Sequence, residues 1–122
     1  MKRQYSHSSP ASATKLNFGS VEIDEYPRIL DDLGFAHFKV KGRRPDAEGK
    51  AYLESACNFV LYVIEGSATM RINRGEISIN KGDLVTVCAG TPWSLKGDVE
   101  YVVASTPPFS ANQVQEVDEV QV

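Results

Sequence analysis

The sequence predicts an all-β protein folded as an antiparallel jelly-roll barrel. Short apolar runs of strand length recur along the chain, and Gly66, Gly75, Gly82 and Gly90 separate four of them. Turn signals return about every eight to ten residues, and there is no amphipathic pattern long enough for a helix of ten residues. This spacing is typical of an antiparallel sandwich or a small barrel.

The first predicted strands alternate apolar and polar residues. Residues 21–26 (VEIDEY) fit a half-buried strand, and Pro27 places it at a sheet edge or a strand end because proline cannot donate to a ladder. Residues 28–33 are expected to form a brief helical turn that ends at Gly34. Residues 35–41 alternate again, with Ala36, Phe38 and Val40 on one face. Residues 42–50 form a polar loop.

The second half of the chain contains the strongest strand signals. Residues 59–64 form a continuous apolar run, and residues 68–73 pair with 76–80 across Arg74-Gly75, where glycine can take a positive φ. Residues 84–88 and 99–105 supply two further strands.

The domain organisation is simple. Residues 16–110 are expected to form a single domain, preceded by a disordered, serine-rich tail (residues 1–15) and followed by a polar arm or edge strand (residues 111–122). No apolar run is long enough to span a bilayer, and the tail lacks the apolar core of a secretory signal, so a cytoplasmic location is expected.

Charge and cysteine content narrow the function classes. The net charge of −3 gives no reason to expect a nucleic-acid partner. Cys57 and Cys88 lie beside or within apolar runs and are expected to be buried thiols, with a disulfide between them as the alternative.

Residues 62–95 (YVIEGSATMRINRGEISINKGDLVTVCAGTPWSL) resemble the cupin domain. The matching landmarks are the run from Tyr62 to Gly66, the inner turn at Arg74-Gly75, Gly82-Asp83 at the start of the next strand, and the turn at residues 88–93. The TPPFS segment at 106–110 is similar to the end of many small bacterial cupins. The resemblance covers about residues 50–110 and implies a double-stranded β-helix, or jelly-roll barrel, that forms a homodimer.

The chain departs from the cupin pattern at the metal-binding positions. Counting back from Gly66 and forward from Gly82, these positions hold Leu53, Ser55, Phe59 and Trp93, or Tyr52 and Glu54 in place of the first two in a register one residue longer. One carboxylate does not make a metal site, which usually needs three or four N, O or S donors. We therefore expect no metal and no other cofactor.

The expected ligand pocket is aromatic. Trp93 would fill the space of a histidine and its metal, either as a core plug or as one wall of a pocket with Phe59 and Tyr62. Ser55 and Arg71 are further pocket candidates, although Arg71 has the parity of an exposed residue. Lys39, Lys41, Arg43 and Arg44 form the basic cluster of the domain, which is either a solvated surface or a contact for an anion at the barrel mouth.

Three functions fit these observations. The leading hypothesis is a metal-free cupin protein that binds a small molecule in the barrel, with no catalytic activity as the favoured interpretation. The second is a metal-independent sugar-nucleotide epimerase or isomerase. The cupin resemblance implies this possibility, because such enzymes use a histidine and a tyrosine inside the barrel. In this chain, however, His37 lies on the polar face of its predicted strand. The third is a non-catalytic dimerisation or interaction domain.

Overall fold

The computed structural model describes residues 5–28, 30–108 and 114–119. They form one curled antiparallel sheet of nine strands and a single short 3-10 turn at Pro10–Ser12. The strands are β1 (Thr14–Asn17), β2 (Val21–Glu25), β3 (Gly34–Arg44), β4 (Lys50–Glu54), β5 (Asn58–Ile72), β6 (Gly75–Asn80), β7 (Leu84–Val87), β8 (Trp93–Thr106) and β9 (Val114–Asp118). The predicted all-β barrel architecture is confirmed.

Two long strands, β5 and β8, hold the sheet together. β8 pairs with β3 along one edge and with β5 along the other, and its first residue, Trp93, also pairs with Tyr52 of β4. β5 pairs with β6 and β7 on its remaining edge. Both long strands contribute inward-facing side chains to one common core.

Two glycines allow β5 and β8 to approach where the sheet curls. Gly66 (φ +79°) and Gly97 (φ +147°) both have a backbone conformation that favours glycine. A Cβ at Gly66 would lie 2.3 Å from the carbonyl oxygen of Asp98, and one at Gly97 would lie 2.6 Å from that of Ser67. The register of the two strands shifts nearby, between Val63 and Glu65, as a β-bulge bends the pair.

The core lies on the inward face of the strands. Leu61, Val63 and Met70 of β5 are fully buried, and Leu95 and Tyr101 of β8 are almost so. Alternation along each strand puts these residues on one side of the pleat and leaves their neighbours toward solvent. The interior is therefore apolar where β5 and β8 pair.

Several predicted elements differ in detail. The two strands expected at 59–64 and 68–73 are one bulged strand, β5, and β8 begins at Trp93 instead of residue 99. Residues 30–33 form bends and turns with no helix, and Ile29 lies outside the described residues. The 3-10 turn and the first two residues of β1 fall within the segment 1–15.

The ends of the chain contribute strands that the sequence did not clearly predict. β1 pairs with β2, and β9 pairs with β4, so both extend the sheet. Residues 1–4, 109–113 and 120–122 lie outside the described residues, and the expected domain limits stay a prediction. Within the part of the chain that the structure describes, no helix has the length and apolar character needed to cross a membrane.

Candidate functional site

A cavity of about 510 Å³ lies inside the barrel. This volume is within the range of small-molecule sites, about 300–1,000 Å³. The residues at its inner end are buried or partly buried, and those at its outer end are exposed. The buried and half-buried part of the lining includes Phe38, Arg44, Tyr52, Glu54, Cys57, Phe59, Leu61, Trp93, Tyr101 and Ser105.

Aromatic rings form the walls of the inner cavity. Phe38 and Tyr101 stack with their ring centroids 5.0 Å apart. Trp93 is 8% exposed and contacts Tyr52 at 5.3 Å and Phe59 at 5.5 Å between centroids. The pairing of β4 with β8 puts Tyr52 directly opposite Trp93. Trp93 is thus one wall of an open cavity.

The guanidinium of Arg44 lies among these rings. Its central carbon is 4.8 Å from the Phe38 ring centroid, 5.2 Å from that of Tyr52 and 5.6 Å from that of Trp93. Nη1 donates to the Tyr101 hydroxyl at 3.0 Å, and Nε is buried without a hydrogen-bond partner. Cation–π contacts of this kind favour a desolvated cation.

The electrostatics of the site keep Arg44 charged and Tyr101 neutral. Burial opposes the charge of Arg44, but Tyr101 and Tyr52 raise the pKa of its guanidinium above the ordinary value. Burial also raises the pKa of Tyr101, although Arg44 acts in the opposite direction. The cavity therefore contains a permanent positive charge beside a phenol that can donate and accept hydrogen bonds.

Glu54 brings a negative charge to the same cavity. Its side chain is 4% exposed, and Oε1 accepts hydrogen bonds from the backbone N–H of Ala56 at 2.6 Å and of Cys57 at 3.2 Å. Oε2 is buried and has no hydrogen-bond partner. Burial, followed by the charge of Glu54, raises the pKa of the Cys57 thiol.

The pocket residues expected from the sequence divide into two groups. Phe59 and Trp93 line the cavity. Tyr62 does not, because it lies between the inward-facing Leu61 and Val63 and is 44% exposed on the outer face. Ser55 is exposed beyond the end of β4, and Arg71 lies 3.9 Å from Glu119, outside the cavity lining.

The basic cluster does not act as a unit. Lys39 and Lys41 are exposed and do not line the cavity. Arg43 is buried and donates to the carbonyl oxygens of Pro45, Ala47 and Lys50, so its guanidinium has a structural role instead of the proposed anion contact. Among the four expected anion contacts, Arg44 alone lines the cavity.

The described part of the chain has no clustered metal ligands. In residues 5–28, 30–108 and 114–119, no group of three or more His, Cys, Asp or Glu side chains is placed to hold a metal ion. His37 contacts Glu100 at 2.5 Å and does not line the cavity. The absence of a metal in the protein stays a prediction.

Seven of the lining residues named above were not predicted as ligand contacts: Phe38, Tyr52, Glu54, Cys57, Leu61, Tyr101 and Ser105. The alternation of residues 35–41 already placed Phe38 on the apolar face, and Tyr101 lies in a predicted strand. Glu54 was considered only as a metal ligand. Its position two residues from Tyr52 on β4 would have placed both side chains on one face, had β4 been predicted.

Comparison with solved structures identifies the fold. Streptomyces Pac13, in a variant solved with uridine, matches with a TM-score of 0.82 at 15% identity over 98% of this chain and 95% of that one. Another Pac13 structure, described as a unique nucleoside dehydratase, gives a TM-score of 0.79 at 16% identity over 99% and 95% of the two chains. KdgF from Halomonas sp. gives 0.71 at 11% identity over 88% of this chain and 97% of that one.

Larger proteins contain the same fold. A variant of Bacillus subtilis oxalate decarboxylase matches with a TM-score of 0.74 at 18% identity, over 90% of this chain and 32% of that one. No protein-family model matches the sequence, and no curated protein is similar to it at the sequence level. The protein has the cupin fold, as the resemblance of residues 62–95 implied.

Proposed function

We propose that the protein binds a small, planar molecule of the nucleoside class inside the barrel. The observation that carries this proposal is the guanidinium of Arg44, which is surrounded by aromatic rings and whose Nε has no hydrogen-bond partner. A ligand with a hydrogen-bond acceptor at this point would accept a hydrogen bond from the guanidinium of Arg44.

Arg44 is unusual because its charge is not balanced locally. Among the described residues, no carboxylate forms an ion pair with Arg44, and its hydrogen-bond partners are the phenol hydroxyls of Tyr101 and Tyr52. An unpaired charge in a desolvated site costs free energy, and such sites are candidates for function. A carbonyl or carboxylate oxygen on a ligand would recover part of that cost.

The aromatic walls favour a flat ligand. Tyr52, Phe59 and Trp93 present ring faces and edges around the inner cavity, where a planar ring can pack in an offset or edge-to-face arrangement. A nucleobase is planar and has carbonyl acceptors at its edge, which suits Arg44. The likeness of the fold to a Pac13 variant solved with uridine supports this class of ligand.

Isothermal titration calorimetry with uridine, other nucleosides and small carboxylic acids tests the proposal. We expect Arg44→Met to weaken nucleoside binding about 10- to 100-fold, since hydrogen bonds from a charged donor contribute about 1.5–3 kcal/mol. The same variant should melt at an equal or higher temperature, because replacing a half-buried charge that has no ion-pair partner with an apolar side chain is often stabilising.

The matched control is Lys39→Met, which removes an exposed positive charge from the same strand. It should leave nucleoside affinity unchanged. Nucleosides that bind the wild type and Arg44→Met equally well would contradict the role of Arg44. Failure of the wild type to bind any nucleoside would contradict the proposed function.

A second candidate function is catalysis on the bound ligand, and the buried, unpartnered Oε2 of Glu54 favours it. Loss of water from a substrate needs a group that accepts or supplies a proton at the reacting atoms, and a carboxylate inside the cavity is such a group. Mass spectrometry of nucleosides incubated with the protein would detect the loss of water.

The sugar-nucleotide epimerase hypothesis has less support, because no histidine among the described residues lines the cavity.

A further inference from the structure

Glu54 has a free carboxylate oxygen deep inside the cavity. Oε1 is fixed by the backbone N–H groups of Ala56 and Cys57, which sets the orientation of the whole carboxylate. Oε2 is then left buried with no hydrogen-bond partner. Because buried polar atoms in proteins are nearly always paired, such an exception calls for a physical explanation.

Glu54 and Arg44 offer opposite groups to one ligand. Both line the inner cavity, and the structure shows no ion pair between them. Arg44 provides one buried donor without a partner, Nε, and Glu54 provides one buried acceptor without a partner, Oε2. A ligand that satisfies both must carry an acceptor at one point and a hydroxyl or N–H donor at another.

The outer end of the cavity is acidic. Among the residues that the structure describes, three exposed carboxylates, those of Glu25, Asp46 and Glu116, line it, together with one exposed basic residue, Arg28. Asp46 is held in place by a hydrogen bond from the Ser20 hydroxyl. Carboxylates around a low-dielectric opening focus a negative field, which disfavours the entry of anions.

We propose that Glu54 is a ligand-binding residue that selects an unphosphorylated, hydroxyl-bearing ligand. Its Oε2 accepts a hydrogen bond from a donor of the ligand, and its charge, together with the acidic opening, rejects the phosphorylated form. This inference rests on the proposed function and adds to it the class of ligand: a nucleoside in preference to a nucleotide.

The test compares uridine with uridine 5′-monophosphate, which differ by one phosphate group. By titration calorimetry, we expect the wild type to bind uridine at least about tenfold more tightly than the monophosphate. Glu54→Gln keeps an oxygen for Ala56 and Cys57 but turns an N–H₂ donor toward the cavity. This variant should weaken uridine binding about tenfold or more. It should also reduce the ratio between the affinities for uridine and for uridine 5′-monophosphate.

Two other variants complete the experiment. Glu76→Gln, an exposed residue of β6 outside the cavity, is the matched control and should change neither affinity. Glu116→Gln should raise the affinity for the monophosphate about twofold and leave uridine binding unchanged, because its carboxylate is exposed and partly screened.

The outcomes separate the two proposals. Equal affinity of the wild type for both ligands, or unchanged uridine binding in a folded Glu54→Gln, overturns the role of Glu54 while nucleoside binding stands. If Glu54→Gln does not fold, the affinities of the wild type and of Glu116→Gln for the two ligands decide whether the cavity prefers the unphosphorylated ligand. Binding of neither ligand to the wild type overturns the proposed function and this inference together.

Discussion

Arg43 and Arg44 are consecutive residues of β3, yet their guanidinium groups lie in different environments. Arg43 is held by three backbone carbonyl oxygens and by Glu119, whose Oε1 lies 3.0 Å from Nη2. Arg44 turns to the other side of the strand and enters the aromatic cavity. One residue therefore fixes the loop after β3, and its neighbour is available to a ligand.

The two cysteines also differ in environment, which predicts different thiol reactivity. Cys57 is buried, and burial together with the charge of Glu54 raises its thiol pKa, so less thiolate forms at a given pH. Cys88 is exposed, contrary to the expectation that both thiols are buried, and both are free. We expect a disulfide-exchange reagent at pH 8 to modify one thiol per chain rapidly and the second only after denaturation.

Single substitutions assign the two phases of that reaction. Cys88→Ser should abolish the rapid phase, and Cys57→Ser should leave it intact. Any slow reaction of Cys57 in the native protein should continue to accelerate with pH beyond the range in which an ordinary thiol is fully ionised, because the pKa of Cys57 is raised. A rapid phase that persists in Cys88→Ser would show that Cys57 is accessible.

At the scale of elements, β9 fixes one side of the cavity. It pairs with β4, which carries Tyr52 and Glu54, and its own Val114 and Glu116 line the cavity. Glu119, next after the strand, is mostly buried, accepts a hydrogen bond from Ser94 at 2.6 Å and contacts Arg43. This carboxylate connects the end of the chain to β3 and β8.

We predict that Glu119→Gln destabilises the protein by about 1.5–3 kcal/mol, because hydrogen bonds to a charged acceptor are lost. Denaturant unfolding measures the change, and faster hydrogen exchange over residues 114–119 would locate it. Asp118→Asn is the matched control on the same strand. Its hydrogen bond with Lys50 lowers the pKa of Asp118, but the pair is exposed, so unfolding should be almost unchanged. Equal unfolding midpoints for the two variants would contradict the anchoring role of Glu119.

The strands with strong apolar patterns could be predicted from the sequence, and those that depend on distant partners could not. β6 and β7 were predicted to within a residue or so, since alternation and glycine turns mark them locally. β4 and β9 are short and mixed in polarity, and pairing across 60 or more residues makes them strands, as between Lys50 and Asp118. Arg44 was predicted only as one of four possible anion contacts, and Glu54 only as a single metal-ligating carboxylate, because charged residues are usually exposed, whereas both of these line the cavity.

At the scale of the whole molecule, the curled sheet has two apolar faces. The inner face encloses the cavity. The outer face presents Tyr62, which lies opposite Leu84 of β7 and Val102 of β8, with Val60 and Ala104 one pair further along. Tyr62 is 44% exposed and Leu84 is 63% exposed. A contiguous apolar patch of this kind on a sheet is typical of a contact surface.

This outer face leads to a prediction about assembly. The sequence resemblance implies a homodimer, and we expect two copies to bury the patch around Tyr62 and Leu84 against each other, because a closed twofold arrangement brings the same surface from both chains together. Light scattering coupled to size-exclusion chromatography should then give twice the monomer mass.

Leu84→Lys places a charge in the patch and should yield monomer. Ile77→Lys, which alters an exposed apolar residue of β6, should remain dimeric. A monomeric wild type, or a dimer unaffected by Leu84→Lys, would show that another surface or none mediates assembly. Because the patch lies on the opposite face of the sheet from the cavity, the Leu84→Lys monomer should still bind uridine with the affinity of the wild type.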